Sequence, residues 1–404
     1  MSWSRILRFL GARGLPAAAI LGLGVAAGSA RAQTQAVPPA GSVPESPNES
    51  DLTVSAGERY SSNPRFQPDS ASAEGDYVTD LRLDLSMSRH KVRSLWSLRY
   101  TPSYARYHEN SQLDTSNHAF DFRGAYDASR RWKILLGERF VYRRDALYTS
   151  GSGDAADVTI LTESKRWRSF TDAAADVELS RSLILQTGLN ARVDRFQDAT
   201  LVDSETYSGR LGMRQQLNRD HSVSATYVHS RFLLGDAATA DVTSNGLEAL
   251  WAVTTPRATE FQLGAGASRV SRSGESQTRF TGLTTFHRPF RHTDLVAGYR
   301  RSLSADTGTE AVSLSQNAYL GFSARVGKLT TLGIYGDGGT REAALAKDAE
   351  LDLSFAGVAL RAELGLNPRF SISSEASRRR QTDRITDQDT SVTGYFLGLV
   401  FKVF

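Results

Sequence analysis

The chain has no cysteine, and beyond its first 32 residues it has no long apolar run. Each absence excludes something. Without thiols there can be no disulfide framework, and no lipidated cysteine of the kind that anchors some outer-membrane exporters. With a mean hydropathy of −0.35, any membrane crossing after residue 32 has to be made by strands, which are apolar on one face only. Chemistry-bearing motifs are missing too. No serine sits in a nucleophile elbow, no two histidines have metal-helix spacing, and there is no glycine-rich phosphate loop. The seven histidines are scattered, and His90, His221 and His292 fall in or beside expected turns. The sequence thus supplies no catalytic, cofactor-binding or metal-ligating set, and the expectation is a protein that is not an enzyme and carries no cofactor. An enzyme whose acid and histidine groups converge only across strands is the alternative that sequence hides.

The ends are distinct from the rest. Arg5, Arg8 and Arg13 precede the apolar run from Leu15 to Ala27, and the small-residue site Ala30-Arg31-Ala32 follows. This is the layout of a secretory signal peptide over 1–32, cleaved before Gln33. Residues 33–50 are rich in Pro and Ser and read as a flexible periplasmic tail. The whole chain carries 48 Lys+Arg against 44 Asp+Glu, and the leader holds four Arg and no acid. Charges in the remainder therefore balance at 44 against 44. No uncompensated basic surface is left to bind nucleic acid.

From Asp51 to Phe404 the chain repeats one unit: an alternating apolar/polar stretch, a short polar turn, another alternating stretch, then a longer polar loop. Eighteen candidate strands result. In the second, Tyr77, Thr79, Leu81, Leu83, Leu85 and Met87 alternate with Asp80, Arg82 and Asp84, and Ser88-Arg89-His90-Lys91 reads as the turn. Trp96, Leu98, Tyr100 and Tyr104 oppose Arg99 in the third; Phe120, Phe122 and Tyr126 oppose Asp121 and Arg123 in the fourth. The fifth sets Trp132, Ile134, Leu136, Phe140 and Tyr142 against Lys133, Arg139 and Arg143, with Glu138 on the apolar side. A bulge, or a position above the lipid band, is expected there. The sixth to eighth strands put Asp176 and Glu178, then Arg192 and Asp194, then Arg210 and Arg214 on their polar faces. Two stretches, Phe280 to Phe290 and Leu329 to Tyr335, support either register.

Short turns such as Ser180–Ser182, Asn218–Asp220 and Asn367–Arg369 use turn-forming residues. Longer loops are expected at Ser61–Gly75, Asp145–Lys165, Asp337–Asp348 and Arg378–Asp389. Long connections follow odd strands, so both termini lie on one side and the strand number is even. The expected fold is all-β: a transmembrane antiparallel up-and-down barrel of the bacterial outer membrane over 51–404, with about 18 strands, surrounded by outer-membrane lipid. Trp132, Phe290 and Phe370, close to turns, read as interfacial girdle residues. The last strand, Tyr395 to Phe404, looks like the C-terminal signature by which the barrel-assembly machinery recognises its substrates, with Phe404 as the matching residue. Lys402 departs from that pattern.

Charge is thereby confined to the interior. Arg82, Asp84, Arg99, Asp121, Arg123, Arg139, Asp176, Glu178, Arg192, Asp194, Arg210 and Arg214 are the expected lumen-lining residues. They either tie strands together as salt bridges or contact a polar solute in a hydrated channel, which a barrel of this size leaves open. Asp145–Lys165 is the candidate constriction. This wall suits a general diffusion porin for small polar solutes.

The segment Ala56-Gly-Glu-Arg-Tyr-Ser-Ser-Asn-Pro-Arg-Phe66 is similar to the first strand and loop of outer-membrane barrels associated with exopolysaccharide gene clusters. Arg99-Tyr-Thr-Pro-Ser-Tyr-Ala-Arg-Tyr107, with Ser116-Asn-His-Ala-Phe120 and the strand to Tyr142, resembles that family's early strands. The resemblance implies an export channel for a secreted polysaccharide, working with a periplasmic polysaccharide-export protein and having no catalytic residues.

Overall fold

The computed structural model describes residues 49–65, 67–71, 74–144, 165–197, 201–235, 241–256, 258–305, 311–345 and 352–403. The expected signal peptide, Phe404 and all but the last residue of the candidate constriction Asp145–Lys165 lie outside them. The described residues form β1 (Glu49–Ser61), β2 (Asp76–Lys91), β3 (Ser94–Tyr107), β4 (Thr115–Asp127), β5 (Trp132–Arg144), β6 (Lys165–Glu178), β7 (Leu183–Phe196), β8 (Ser204–Gln216) and β9 (His221–Leu234). They continue as β10 (Asp241–Thr254), β11 (Glu260–Arg272), β12 (Glu275–Pro289), β13 (Thr293–Ala305), β14 (Val312–Val326), β15 (Thr330–Ala343), β16 (Asp352–Gly365), β17 (Phe370–Asp383) and β18 (Gln388–Lys402). Every strand pairs antiparallel with its neighbours in sequence, and β1 pairs with β18, which closes an 18-stranded barrel.

The side-chain period of two sorts the residues into a wall with two different faces. On β2, Tyr77, Leu81, Leu83 and Leu85 are exposed while Val78 and Asp84 between them are buried. The same stripe of exposed apolar residues runs round the outside, through Leu136, Leu189, Leu211, Leu247, Leu263, Leu320, Leu360 and Leu397. An unpartnered apolar belt on a closed sheet is what lipid contact requires. Aromatic rings bound it. Near the turn ends stand Trp132, Phe290 and the pair Phe370–Phe401, whose ring centroids are 4.6 Å apart. At the other rim lie the Tyr60–Tyr77 and Phe140–Trp167 pairs and the Tyr100–His118–Tyr142 row.

Several expectations need correction. β2 continues through Ser88–Lys91, so its turn is only Val92-Arg93. β15 reaches Ala343 and β17 reaches Asp383, so Asp337–Ala343 and Arg378–Asp383 are strand where loops were expected at Asp337–Asp348 and Arg378–Asp389. The alternation of long and short connections also breaks twice: β17 and β18 are joined by four residues, no more than β16 and β17, and β11 and β12 are joined by Ser273-Gly274 alone. Ser273 and Gly274 both have positive φ, 46° and 87°, as a two-residue hairpin turn demands. The two ambiguous stretches acquire a register. Phe280, Phe290, Leu332 and Ile334 are exposed, whereas Leu283 and Tyr335 are buried inside. On β18, Phe401 faces out and Lys402 faces in, where its ammonium lies 3.3 Å from Asp51.

No bulge forms at Glu138. Its pairing with Phe122 on β4 and Thr171 on β6 is continuous, so the carboxylate stays on the lipid side between Trp132 and Phe140. It is held by the hydroxyls of Thr171 and Ser169, the latter at 2.8 Å. Two hydrogen bonds offset only part of the cost of placing a carboxylate against hydrocarbon. Glu138→Leu is therefore expected to stabilise the barrel by about 1–2 kcal/mol, read as a higher urea midpoint in lipid vesicles. A lower midpoint would mean that the hydroxyl-bonded carboxylate is the better occupant.

Candidate functional site

All twelve lumen candidates occupy the strand face opposite the exposed apolar stripe. The structure brings them together in small groups. Fully buried Asp84 accepts two hydrogen bonds from Arg99, at 2.9 and 2.5 Å. Arg123 folds back along its own strand onto Asp121, at 3.0 Å. Asp194 is shared by two guanidiniums, Arg168 and Arg192, the second at 2.7 Å. Asp176 takes a bond from Gln186 at 3.3 Å and lies in the field of Arg214, Arg210 and Lys133. Arg82 and Arg139 face the lumen beside these groups, and Glu178 stands at the turn end of β6, opposite Ile184.

Charge continues on the other side, where sequence patterning had named no residue. Arg361 donates to Glu375 at 3.2 Å and lies over the Tyr335 ring. Arg379 donates to Asp337 at 2.9 Å, over Phe355. His287 and Asp294 meet at 2.8 Å near the turn end of β12 and β13. These strands were opaque because they carry bulky residues on both faces: Leu353 and Phe355 are buried in the lumen, while Val358 and Leu360 face lipid. Between the two charged walls, the inner face of β9 to β11 is built mostly from small and hydroxyl residues, with Val228, Leu250 and the acid Glu248, which lies in the field of Arg300. Ser222, Ser224, Thr226 and Ser230 belong to β9, Ser244 and Gly246 to β10, and Gly264, Gly266 and Ser268 to β11.

The upper part of that wall is covered from inside. β12 and β13 pair only from Pro289↔Asp294 up to Gly282↔Arg301. Above that point β12 runs on to Glu275, still paired with β11, while β13 leaves it. Leu303 and Ala305 of β13 and Val312 and Leu314 of β14 carry the wall's outward side-chain parity. Yet they are buried in one cluster with Phe232, Leu234, Val242 and Val270, which project inward from β9, β10 and β11. An outward face can meet an inward face only if the hairpin has turned into the barrel. Two further contacts agree. The Arg279 guanidinium, pointing inward from β12, donates to the carbonyls of Ala344 and Ala343 at 2.8 and 3.2 Å, and β13 approaches β8 from across the lumen. The upper ends of β13, β14 and β15 thus form a second layer inside the barrel.

The bend has a local basis. At its level β13, β14 and β15 carry a polar row on the outward face, Arg301, Gln316, Thr340 and Glu342, with Arg301 3.8 Å from Glu342 and Tyr299 donating to Gln316 at 3.1 Å. Beside this row a Cβ at Gly339 would run into the carbonyl oxygen of Gln316, so only glycine permits that approach of the two backbones. Sequence reasoning missed the hairpin because Leu303, Leu314 and Val312 keep the alternation of a lipid-facing strand. A signal was present on the opposite wall, in four bulky apolar residues at inward positions where a water-filled lumen calls for polar ones.

Among the described residues no group of three or more His, Asp or Glu side chains is placed to hold a metal ion. A closed antiparallel barrel with an even strand number, apolar between two aromatic belts and charged within, is a transmembrane β-barrel of the bacterial outer membrane. No family model matches the sequence, and no curated protein matches it. Among solved structures the chain is similar to a BenF-like porin from Pseudomonas fluorescens Pf-5, at 10% identity over 88% of this chain and 98% of that one, with a TM-score of 0.48. It is also similar to Pseudomonas aeruginosa OccK2 (OpdF), at 10% identity over 89% and 100% of the two chains and a TM-score of 0.48. For Acinetobacter baumannii OccAB4 the identity is 10%, the coverage 89% and 100%, and the TM-score 0.45.

Proposed function

We propose that this protein is a diffusion channel for small polar solutes, narrowed from within by the hairpin of β13 and β14. The observation that carries the reading is the lumen itself. Charges of both signs, fixed against the wall by pairing, face a surface mostly of small and hydroxyl residues, with the acid Glu248 on β10, and part of the cross-section is filled by protein. Such an interior can replace some of a small solute's hydration and pass it on. The twelve charges from Arg82 to Arg214 are the part of the path that the early strands contribute. Export of a polysaccharide rests on the resemblance of the early strands alone, and a long polymer gains nothing from a hairpin set across its route.

The test is made with purified protein in planar bilayers and liposomes. A steady conductance is expected, with liposome swelling that is fast in monosaccharides and amino acids and slow in trisaccharides. A barrel that is folded but silent to all small solutes would overturn the reading. Loss of surface polysaccharide on deleting the gene, with the synthetic enzymes intact, would favour export in its place.

A further inference from the structure

We propose that the tops of β13, β14 and β15 are a two-position gate, tucked into the lumen in one position and zipped into the barrel wall against β12 in the other. The inference deepens the channel reading and rests on it for its consequence, but its structural core stands on register. β12–β13 partners add up in a fixed way: Gly282 faces Arg301, and Leu283 faces Arg300. Continued upward without change, the same ladder sets Thr281 opposite Ser302, Phe280 opposite Leu303, Arg279 opposite Ser304 and Thr278 opposite Ala305. All eight residues exist in strand conformation already, so zipping needs no refolding of either strand.

Parity makes both positions workable. Leu303, Ala305, Val312 and Leu314 now bury their side chains against the inner wall of β9 to β11. In the zipped position the same side chains would point outward beside Phe280, which is 68% exposed on the lipid face. One apolar stripe can therefore be buried in protein or in lipid, and little hydrophobic burial separates the two states. The tucked state also leaves something undone. The β13-facing edge of β12 from Glu275 to Thr281 has no strand partner among the described residues. Gln277, Thr281 and Arg301, around that edge, each bury a side-chain polar atom with no hydrogen-bond partner. What holds the tip inside is the apolar cluster and the grip of Arg279 on Ala343 and Ala344. The hinge is the row Arg301, Gln316 and Gly339, where the backbones already approach closely.

The absence of native cysteine makes a clean test possible. In Phe280→Cys/Leu303→Cys the two thiols lie on opposite sides of the wall when the hairpin is tucked, and directly opposite each other when it is zipped. Oxidation of the full barrel in bilayers is expected to form the disulfide, read by mass-tag alkylation, and to raise conductance severalfold until dithiothreitol restores it. Disulfide formation is read whether or not the barrel conducts, so failure of the gate and failure of the channel reading are separable. Thiols that stay free under oxidation, in barrels shown to be folded by their heat-modifiable mobility, would overturn the proposal. If that pair does not fold, Thr278→Cys/Ala305→Cys tests the same register with smaller side chains, and its thiols are read in the same way.

Discussion

Replacing Asp194 by alanine is expected to destabilise the barrel by about 3–5 kcal/mol, the usual cost of removing one member of a buried ion pair. The carboxylate is 0% exposed and takes guanidinium bonds from both Arg168 and Arg192. Its loss takes a shared counter-charge from two guanidiniums held against the wall, one from β6 and one from β7. Unfolding in urea from lipid vesicles, followed by tryptophan fluorescence, measures this directly. Asp194→Asn keeps the acceptor oxygen and removes the charge, so it should lie between wild type and alanine. An unchanged midpoint for alanine would mean that lumen water screens these charges fully, and that the pairing steers solutes without holding the strands.

Shortening the hairpin should have the largest effect on transport. Ser302 and Ser315 face each other across the β13–β14 ladder. Joining them through Asn-Gly closes a two-residue turn in the favoured geometry and removes the apolar side chains of Leu303, Ala305, Val312 and Leu314 from the lumen. A barrel of this strand number encloses an aqueous lumen when nothing fills it, so single-channel conductance is expected to rise about threefold or more. Swelling in trisaccharides should become as fast as in monosaccharides. Equal conductance in the shortened barrel would place the narrowest point elsewhere in the lumen.

How much of this was readable from sequence differs between wall and interior. The wall was readable because every strand repeats one alternation, and an error of one residue would put charge into lipid. Tyr77 to Met87, or Leu183 to Val193, could face only one way. The alternation is weaker where a strand is bulky on both sides: Leu283 and Phe286 on β12, or Ile334 and Tyr335 on β15, fit either register until the neighbouring strand is fixed. The hairpin was unreadable for another reason. Parity tells which residues share a face, and it does not tell whether that face meets lipid or the opposite wall. Glu138 shows the converse limit: its pattern was right, but the hydroxyls of Ser169 and Thr171 that hold it lie 31 and 33 residues away.

The pairing register also has a mechanical side. β1 and β18 share nine paired positions and β12 and β13 share eight, while most other ladders have twelve or more. Resistance to pulling two strands apart grows with the number of bonds between them, so the cylinder is weakest along these two seams. They divide it into a panel of twelve strands and a panel of six, β13 to β18. Lateral stress from the membrane falls on the seams before it bends either panel. The inward hairpin thus leaves the wall along the shorter of the two seams.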